Sequence, residues 1–368
     1  MRNGSGNDRA REGLRAAMLE KLKLRNFRCF EALDAEFAST NVIRGPNAQG
    51  KTSLLEAICV LLRLQSPRVS SLAAAIRHEQ KGFVLDGLFD ARHMQFYLGA
   101  ARRKLALDSV EQKSASEYLK IGRAVYFSNR DVEIVRGPAD LRRKFLDFAA
   151  FQVDSAYRSQ LRSYEKALRS RNLLLKEPRP NRRQIAAFDG PLVAAGDYIT
   201  AARTRLIAAL QPFAEEAHKD ITRSAETLSL AHRRGGGADF RRTLEAATGE
   251  DLRLRQTTAG PHRDDLHLLL NGRSPEIASE GQQRTIALAL RLAVCALLAE
   301  HAGRPPLLLI DDVFGELDFE RRNALLKRLP AGSQKFITAT DIAWMAPGEA
   351  RLFHLAAGRL AALTKPPG

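Results

Sequence analysis

The 368-residue chain contains only 3 cysteines, Cys29, Cys59 and Cys295, far apart in sequence. No pair has metal-ligand spacing, and an odd number argues against a disulfide framework. Cys59 and Cys295 fall within apolar helical runs and read as small core residues. Cysteine usage this sparse fits a reducing, cytoplasmic setting. No stretch approaches twenty uninterrupted apolar residues, so neither a membrane span nor a membrane partner is expected. The N-terminus, "MRNGSGNDRAREGLRAA", carries charge but lacks the apolar segment of a secretory signal. Residues 1–17 read as a loose, disordered extension, and Met18 is an alternative start, because a strand-like pattern begins directly after it. Also missing are internal repeats, a nuclease-type metal cluster, a nucleophile triad and the long heptad arms of a cohesion ATPase.

What the chain has in excess is positive charge. Lys and Arg number 58 against 42 Asp and Glu, a net +16. Such a balance points to polyanionic partners, nucleic acid above all. The excess is concentrated: between Arg142 and Arg183 there are 12 basic and 4 acidic residues, half the net charge in about a ninth of the chain. In "YRSQLRSYEKALRSRNLLLK", Tyr157, Leu161, Tyr164 and Leu168 recur on one helical face. Arg158, Arg162, Lys166 and Arg169 run beside them as a positive stripe. The stripe is either a solvated helix face or a row of phosphate contacts. Nothing in it suggests base reading, so binding by shape and charge is expected.

Strand and helix signals alternate in an order that splits one domain around another. "LEKLKLRNFRCFEALDAEF" reads as two antiparallel strands, "NVIR" as a short strand, "TSLLEAICVLLRL" as a helix, and the segment from Phe83 to Ala100 as a strand pair. From about Asp140 to Ala247 the pattern turns helical, interrupted by the prolines of "KEPRPNRR" and the loop "RRGGGAD". Strand signals return in "DLRLRQTT" and in "LHLLL" before the Asn271–Gly272 turn. A long helix from Ser279, the buried strand "PLLLIDD", a helix near Phe319 to Arg328, the strand "KFITAT" and a final "RLFHL" complete the chain. Continuous apolar strands alternating with helices indicate an α/β sheet covered on both faces. The expectation is an α/β nucleotide-binding head over 18–139 and 251–368, with a mostly helical basic lobe inserted over 140–250.

"GPNAQGKT", Gly45–Pro46–Asn47–Ala48–Gln49–Gly50–Lys51–Thr52, fits G-x-x-x-x-G-K-[ST] at every fixed position, with a strand before it and a helix after it. Backbone N–H groups of such a loop converge on phosphate oxygens, and the following helix adds its dipole. Lys51 would reach the β- and γ-phosphates of ATP and Thr52 would ligate Mg²⁺. "LLLIDD" ends a buried strand in two acids, at the sheet edge where the phosphate loop sits. Asp311 would hold Mg²⁺ through its water shell. Asp312 would orient or deprotonate the attacking water, or merely cap the next helix.

"ASEGQQRTIALALRLAVCALLAE" poses a separate question, because it opens an apolar helix with a polar, glycine-bearing turn. Serine is an ordinary N-cap. A helix start with Ser279 and the unobstructed Gly281 is also an anion site. Ser279–Glu280–Gly281–Gln282 resembles the signature motif of ABC-type ATPases. Together with "LKLRNFRCF", "GPNAQGKTSLLEAI", "RHEQKGFVLDG", "GPADLRRKFLDF", "TTAGPHRDDL", "LLLIDDVFGELD" and "FITATD", in that order, the set is similar to the RecF family of ABC/SMC-like ATPases from Met18 to about Leu355. The resemblance implies a head that dimerises with ATP, the signature of each copy reaching the γ-phosphate held by the other. It implies binding to single-stranded and duplex DNA at gaps or junctions, in replication and repair. It also implies work with RecO and RecR to help RecA displace single-strand-binding protein. Gly315 stands where the family has serine in its dimer-facing "SELD" loop, and "SNRD" at Ser128–Asp131 departs from a more acidic, proline-bearing version. ABC enzymes usually carry Glu at the place of Asp312, whereas the family resembled has Asp, as here; the shorter side chain implies slow hydrolysis with ATP as a timer, and the resemblance implies a weak, Mg-dependent, DNA-stimulated ATPase. His262 in "GPHRDDL" reads as part of a structural or nucleotide-adjacent loop. The rival classes are another SMC-like repair ATPase and a transporter's nucleotide-binding subunit. The latter usually has histidine where Thr340–Asp341 stands.

Overall fold

A computed structural model describes residues 17–340 and 350–363. The expected extension up to residue 16 and Asp341 lie outside the described residues; Ala17, assigned to that extension, is buried. The chain divides into two compact units, one of residues 1–129 and 295–368, the other of residues 130–294.

The first unit begins with β1 (Leu19–Phe27), β2 (Phe30–Glu36), β3 (Thr40–Arg44) and α1 (Lys51–Arg63). It continues with β4 (Gly82–Phe89), β5 (Arg92–Gly99), β6 (Arg103–Leu107), β7 (Val110–Glu111), α2 (Ala115–Ile121) and β8 (Ala124–Ser128). β1 buries Leu22 and Leu24 while Lys23 and Arg25 face outward, the period-2 pattern of a half-covered strand, and Phe27 is buried out of phase after Asn26 at φ 56°. It pairs antiparallel with β2 and β4 in a sheet ordered β2-β1-β4-β5-β6-β7.

The second unit holds α3 (Val132–Arg136), α4 (Ala139–Val153), α5 (Tyr157–Leu175), α6 (Arg182–Ala186) and α7 (Asp189–Thr222). β9 (Leu228–Arg233), α8 (Phe240–Ala246), α9 (Thr248–Leu254) and β10 (Asp265–Leu270) follow, and α10 (Glu280–Ala302) begins here. β9 and β10 form a separate antiparallel pair, from Asp265 opposite Arg233 to Leu270 opposite Leu228. Asn271 and Gly272 both have positive φ, 50° and 75°, and Leu270 and Arg273 exchange backbone hydrogen bonds across them. That is the expected tight turn.

The chain then returns to the first unit with β11 (Leu307–Asp311), α11 (Phe319–Arg328), β12 (Lys335–Ala339), β13 (Arg351–Ala356) and β14 (Arg359–Leu363). These build the second sheet, ordered β14-β13-β3-β12-β11-β8. All its pairings are parallel except β13 with β14. Its parallel strands therefore end at one edge, and Arg44, Asp311, Ala339 and Ser128 mark it. Val42, Ile43, Leu307–Ile310 and Phe336–Thr338 are almost fully buried, as a sheet covered on both faces requires.

Two expectations need correction. The division falls after Asn129 and Val294, so β10, the "GPHRDDL" loop and the Ser279 turn lie with the helices and not with the phosphate loop. Strand character suggested otherwise, but β10 pairs with β9, itself unforeseen in a region that read as helical. "DLRLRQTT" does not extend as a strand: its first half lies in α9. Asp251 there is fully buried, accepting from Arg171 Nη1 at 2.7 Å and from Thr258 Oγ1 at 2.6 Å, while Leu254 faces outward. The alternation has no sheet face to serve. By length and composition alone, α10 could cross a membrane. Most of it is packed inside the protein, and its Arg291 pairs with Asp131 at 2.7 Å, so it is a core helix.

Candidate nucleotide-binding site

The loop from Gly45 to Thr52 joins β3 to α1. Ala48 and Gly50 adopt left-handed conformations, φ 63° and 107°, which turn successive N–H groups toward a common point. Pro46, Asn47 and Ala48 form the exposed crown. Glycine is required at both ends by close approach. A Cβ on Gly45 would stand 2.2 Å from the Leu355 carbonyl oxygen, and one on Gly50 would stand 2.6 Å from Cys29 Sγ. Gln49 Oε1 accepts from the Ala357 N–H at 2.7 Å, fastening the loop to the turn between β13 and β14.

The start of α1 is chemically unfinished. Gly50 supplies no side-chain cap, and the first turn holds no acid. The orphan N–H groups thus await an acceptor, and Lys51 sits where the helix dipole disfavours a cation. An anion in the loop would relieve both. Lys51 Nζ donates to the carbonyls of Gly45 and of Pro46, the latter at 3.0 Å. Burial pulls its pKa below the ordinary lysine value, opposed by the charges of Asp312 and Asp311.

Asp311 ends β11, separated from β3 by β12 alone. Thr52 Oγ1 donates to its Oδ1 at 3.0 Å and Thr338 Oγ1 to the same oxygen at 2.8 Å. Tyr126 OH donates to Oδ2 at 2.7 Å. A separation of 3.0 Å between the Thr52 and Asp311 oxygens matches adjacent ligands on octahedral Mg²⁺, about 3.0 Å for metal–oxygen distances near 2.1 Å. The pair fits that ion, as direct ligands or through water. The phosphate loop and Asp311 thus meet through the Thr52 hydroxyl.

Asp312 has φ 56° and its N–H donates to Thr338 Oγ1 at 3.0 Å. Burial, with the neighbouring Asp311 and Glu316 charges, pushes its carboxyl above the ordinary value, while Lys51 pulls it down. Asn129 Nδ2 donates to the Asp312 carbonyl at 3.0 Å and to Glu316 Oε1 at 2.8 Å, which ties the departed "SNRD" segment to the "GELD" loop. A Cβ at Gly315 would meet only Asp312 Oδ1, at 3.7 Å. Sequence reading missed Tyr126, Thr338 and Asn129, because their roles depend on which strands become neighbours.

In the second unit, Ser279 begins α10 with a reciprocal cap. Gln282 N donates to Ser279 Oγ at 3.3 Å, and Ser279 N donates to Gln282 Oε1 at 3.0 Å. Buried Gln283 holds the turn through the carbonyls of Pro275, Glu276 and Ala278. Glu280 pairs with Arg284 at 3.0 Å. Ser279 and Glu280 are exposed, and Gly281 and Gln282 partly so. The turn is therefore tied by its own hydrogen bonds while Ser279 stays exposed.

On α5, Arg162, Lys166 and Arg169 are exposed, Arg169 lying 4.0 Å from Glu165. Arg158 departs from the stripe: it is half-buried, its guanidinium 4.9 Å from the Phe151 ring centre. Tyr157 and Tyr164 are buried as expected, while Leu161 and Leu168 are only partly so. His262 is structural. Its Nδ1 lies 2.6 Å from Tyr164 OH and its Nε2 3.0 Å from the Thr257 carbonyl. Only a proton on Nε2 satisfies both. Asp264 beside it accepts from Arg203 and the Gly235 N–H, and Asp265 pairs with Arg142.

The family model described as RecF/RecN/SMC N terminal domain matches residues 18–354. A protein from Symbiobacterium thermophilum named DNA replication and repair protein RecF is 34% identical over 365 residues, covering 92% of this chain and 97% of its own. The chain belongs to the RecF family. A second RecF protein of that name, from Lactobacillus gasseri, is 33% identical over 369 residues, covering 94% and 99% of the two chains. A RecF structure described as the recombination mediator protein RecF-ATP in the RecFOR pathway superposes with a TM-score of 0.88. It is 30% identical and covers 96% of this chain and all of its own. A Pyrococcus furiosus Smc head domain, 16% identical with a TM-score of 0.53 over 94% of this chain, shares the fold. This RecF-family chain thus has an α/β fold of the SMC/ABC-like ATPase type with a helical insert.

Proposed function

We propose that this RecF-family protein binds ATP with Mg²⁺ at the loop of Gly45 to Thr52, dimerises through the bound nucleotide, and holds DNA at gaps or junctions. The observation that carries the reading is the convergence of Lys51, Thr52 and Asp311 on an uncapped helix start. Backbone N–H groups and Lys51 bind the phosphates. Thr52 and Asp311 hold Mg²⁺, which would neutralise charge developing on the phosphate oxygens. Asp312 accepts the proton of the attacking water. Asp in place of Glu, with its restricted left-handed backbone, suits slow turnover.

A nucleotide pocket completed by a second copy explains the exposed, pre-capped turn of Ser279 to Gln282, which on this reading takes the γ-phosphate across the dimer. Exposed Arg162, Lys166 and Arg169 supply DNA phosphate contacts, with Arg158 contributing less because it stacks on Phe151. The RecF relative placed in the RecFOR pathway supports action with RecO and RecR in loading RecA, and a cytoplasmic location accords with it. A gel shift with gapped DNA, with and without ATP, tests the reading. ATP-dependent retention that weakens steeply with salt is expected. Retention indifferent to ATP contradicts it.

A further inference from the structure

We infer that Tyr126 is a positioning residue for Asp311, selecting which carboxylate oxygen meets the divalent metal. The inference rests on the nucleotide reading above and extends it to metal choice. Tyr126 lies on β8, where Leu309 is its partner across the ladder and Asp311 stands opposite Ser128. The phenol therefore reaches diagonally along one face of the sheet, a span open to long aromatic side chains. Tyr126 is 4% exposed, and its hydroxyl lies 2.7 Å from Asp311 Oδ2. A carboxylate can only accept, so the phenol donates.

The consequence is a division of labour between the two oxygens. Thr52 and Thr338 address Oδ1 at 3.0 and 2.8 Å, on the side of the phosphate loop. Tyr126 occupies Oδ2. The phenol takes one of the two acceptor directions of Oδ2 and fixes the plane of the carboxylate, so the oxygen turned to the phosphate loop is Oδ1, which Asp311 offers once the Thr52 hydroxyl hydrogen turns away. Mg²⁺, small and strictly octahedral, suits one oxygen per carboxylate, whereas Ca²⁺ readily takes both. Groups that orient a metal's ligands in this way change affinity by roughly 10- to 100-fold when removed. Packing alone would not need the hydroxyl: phenylalanine fills nearly the same volume.

The test is Tyr126→Phe in the full chain, read by the binding of a fluorescent ATP analogue. Its affinity is measured without metal, then across titrations of Mg²⁺ and of Ca²⁺. The metal-free affinity should be unchanged. The half-saturating Mg²⁺ concentration should rise about tenfold, with Ca²⁺ unaffected or improved, so the preference for Mg²⁺ shrinks. A variant that differs only in melting temperature, with both metal titrations coincident with wild type, overturns the inference and leaves the nucleotide site standing. Wild-type protein that binds no analogue under any condition overturns the nucleotide reading, and this inference with it.

Discussion

Two side chains show how burial sets protonation at the residue scale. Asp312 is pushed above the ordinary carboxylate value by burial, Asp311 and Glu316. A base must be ionised to take a proton, so its activity is lost as pH falls through that raised value. The acid limb of single-turnover phosphate release should therefore lie above that of an unperturbed carboxylate. Asp312→Asn should lower the rate by about 10²-fold or more while ATP affinity stays within about twofold. Unchanged turnover in this variant would remove Asp312 from the chemistry. His262 shows the converse: burial lowers its pKa from 6.5 to about 4. As pH falls, the unfolded chain takes up the proton first. Stability present above about pH 6.5 is withdrawn between there and about 4, on the order of 3 kcal/mol. Urea unfolding at about pH 7 and about pH 5 should show a loss of about 2 kcal/mol from this group in wild type, and a smaller one in His262→Gln.

At the scale of elements, the phosphate loop depends on glycine for two separate reasons, handedness and space. Gly50 has φ 107°, and a Cβ there would press on Cys29 Sγ at 2.6 Å and Phe30 Cζ at 3.0 Å. Gly50→Ala should lower stability by about 1–3 kcal/mol and weaken nucleotide binding together, checked by thermal melting and equilibrium titration. That loop, the start of α1 and the acids of β11 were legible in the sequence, because their motif fixes local geometry and a strand's end fixes the sheet edge. The Tyr126–Asp311 and Thr338–Asp311 contacts were not. They follow from β8 and β12 flanking β11, and strand order leaves no local signature. "DLRLRQTT" misled for a related reason: alternation reports a half-buried strand only if a sheet is there to receive it. Asp251, drawn inward by Arg171, replaces that sheet with a buried ion pair.

At the scale of the whole molecule, sequence order suggested the two-part build but not where the chain crosses. The crossing after Val294 falls inside α10, where an uninterrupted apolar helix offers no punctuation to read. The signature turn and the phosphate loop consequently belong to different compact units of one chain. In the function proposed above, ATP joins two copies, each supplying part of the pocket. The most direct measurement is the light-scattering mass of the full-length protein with and without ATP, for wild type, Lys51→Ala and Ser279→Arg. Wild type should double in mass with ATP, and both variants should remain monomeric, Ser279→Arg while still binding nucleotide. A wild-type monomer at saturating ATP, or a Ser279→Arg protein that doubles as wild type does, would contradict it.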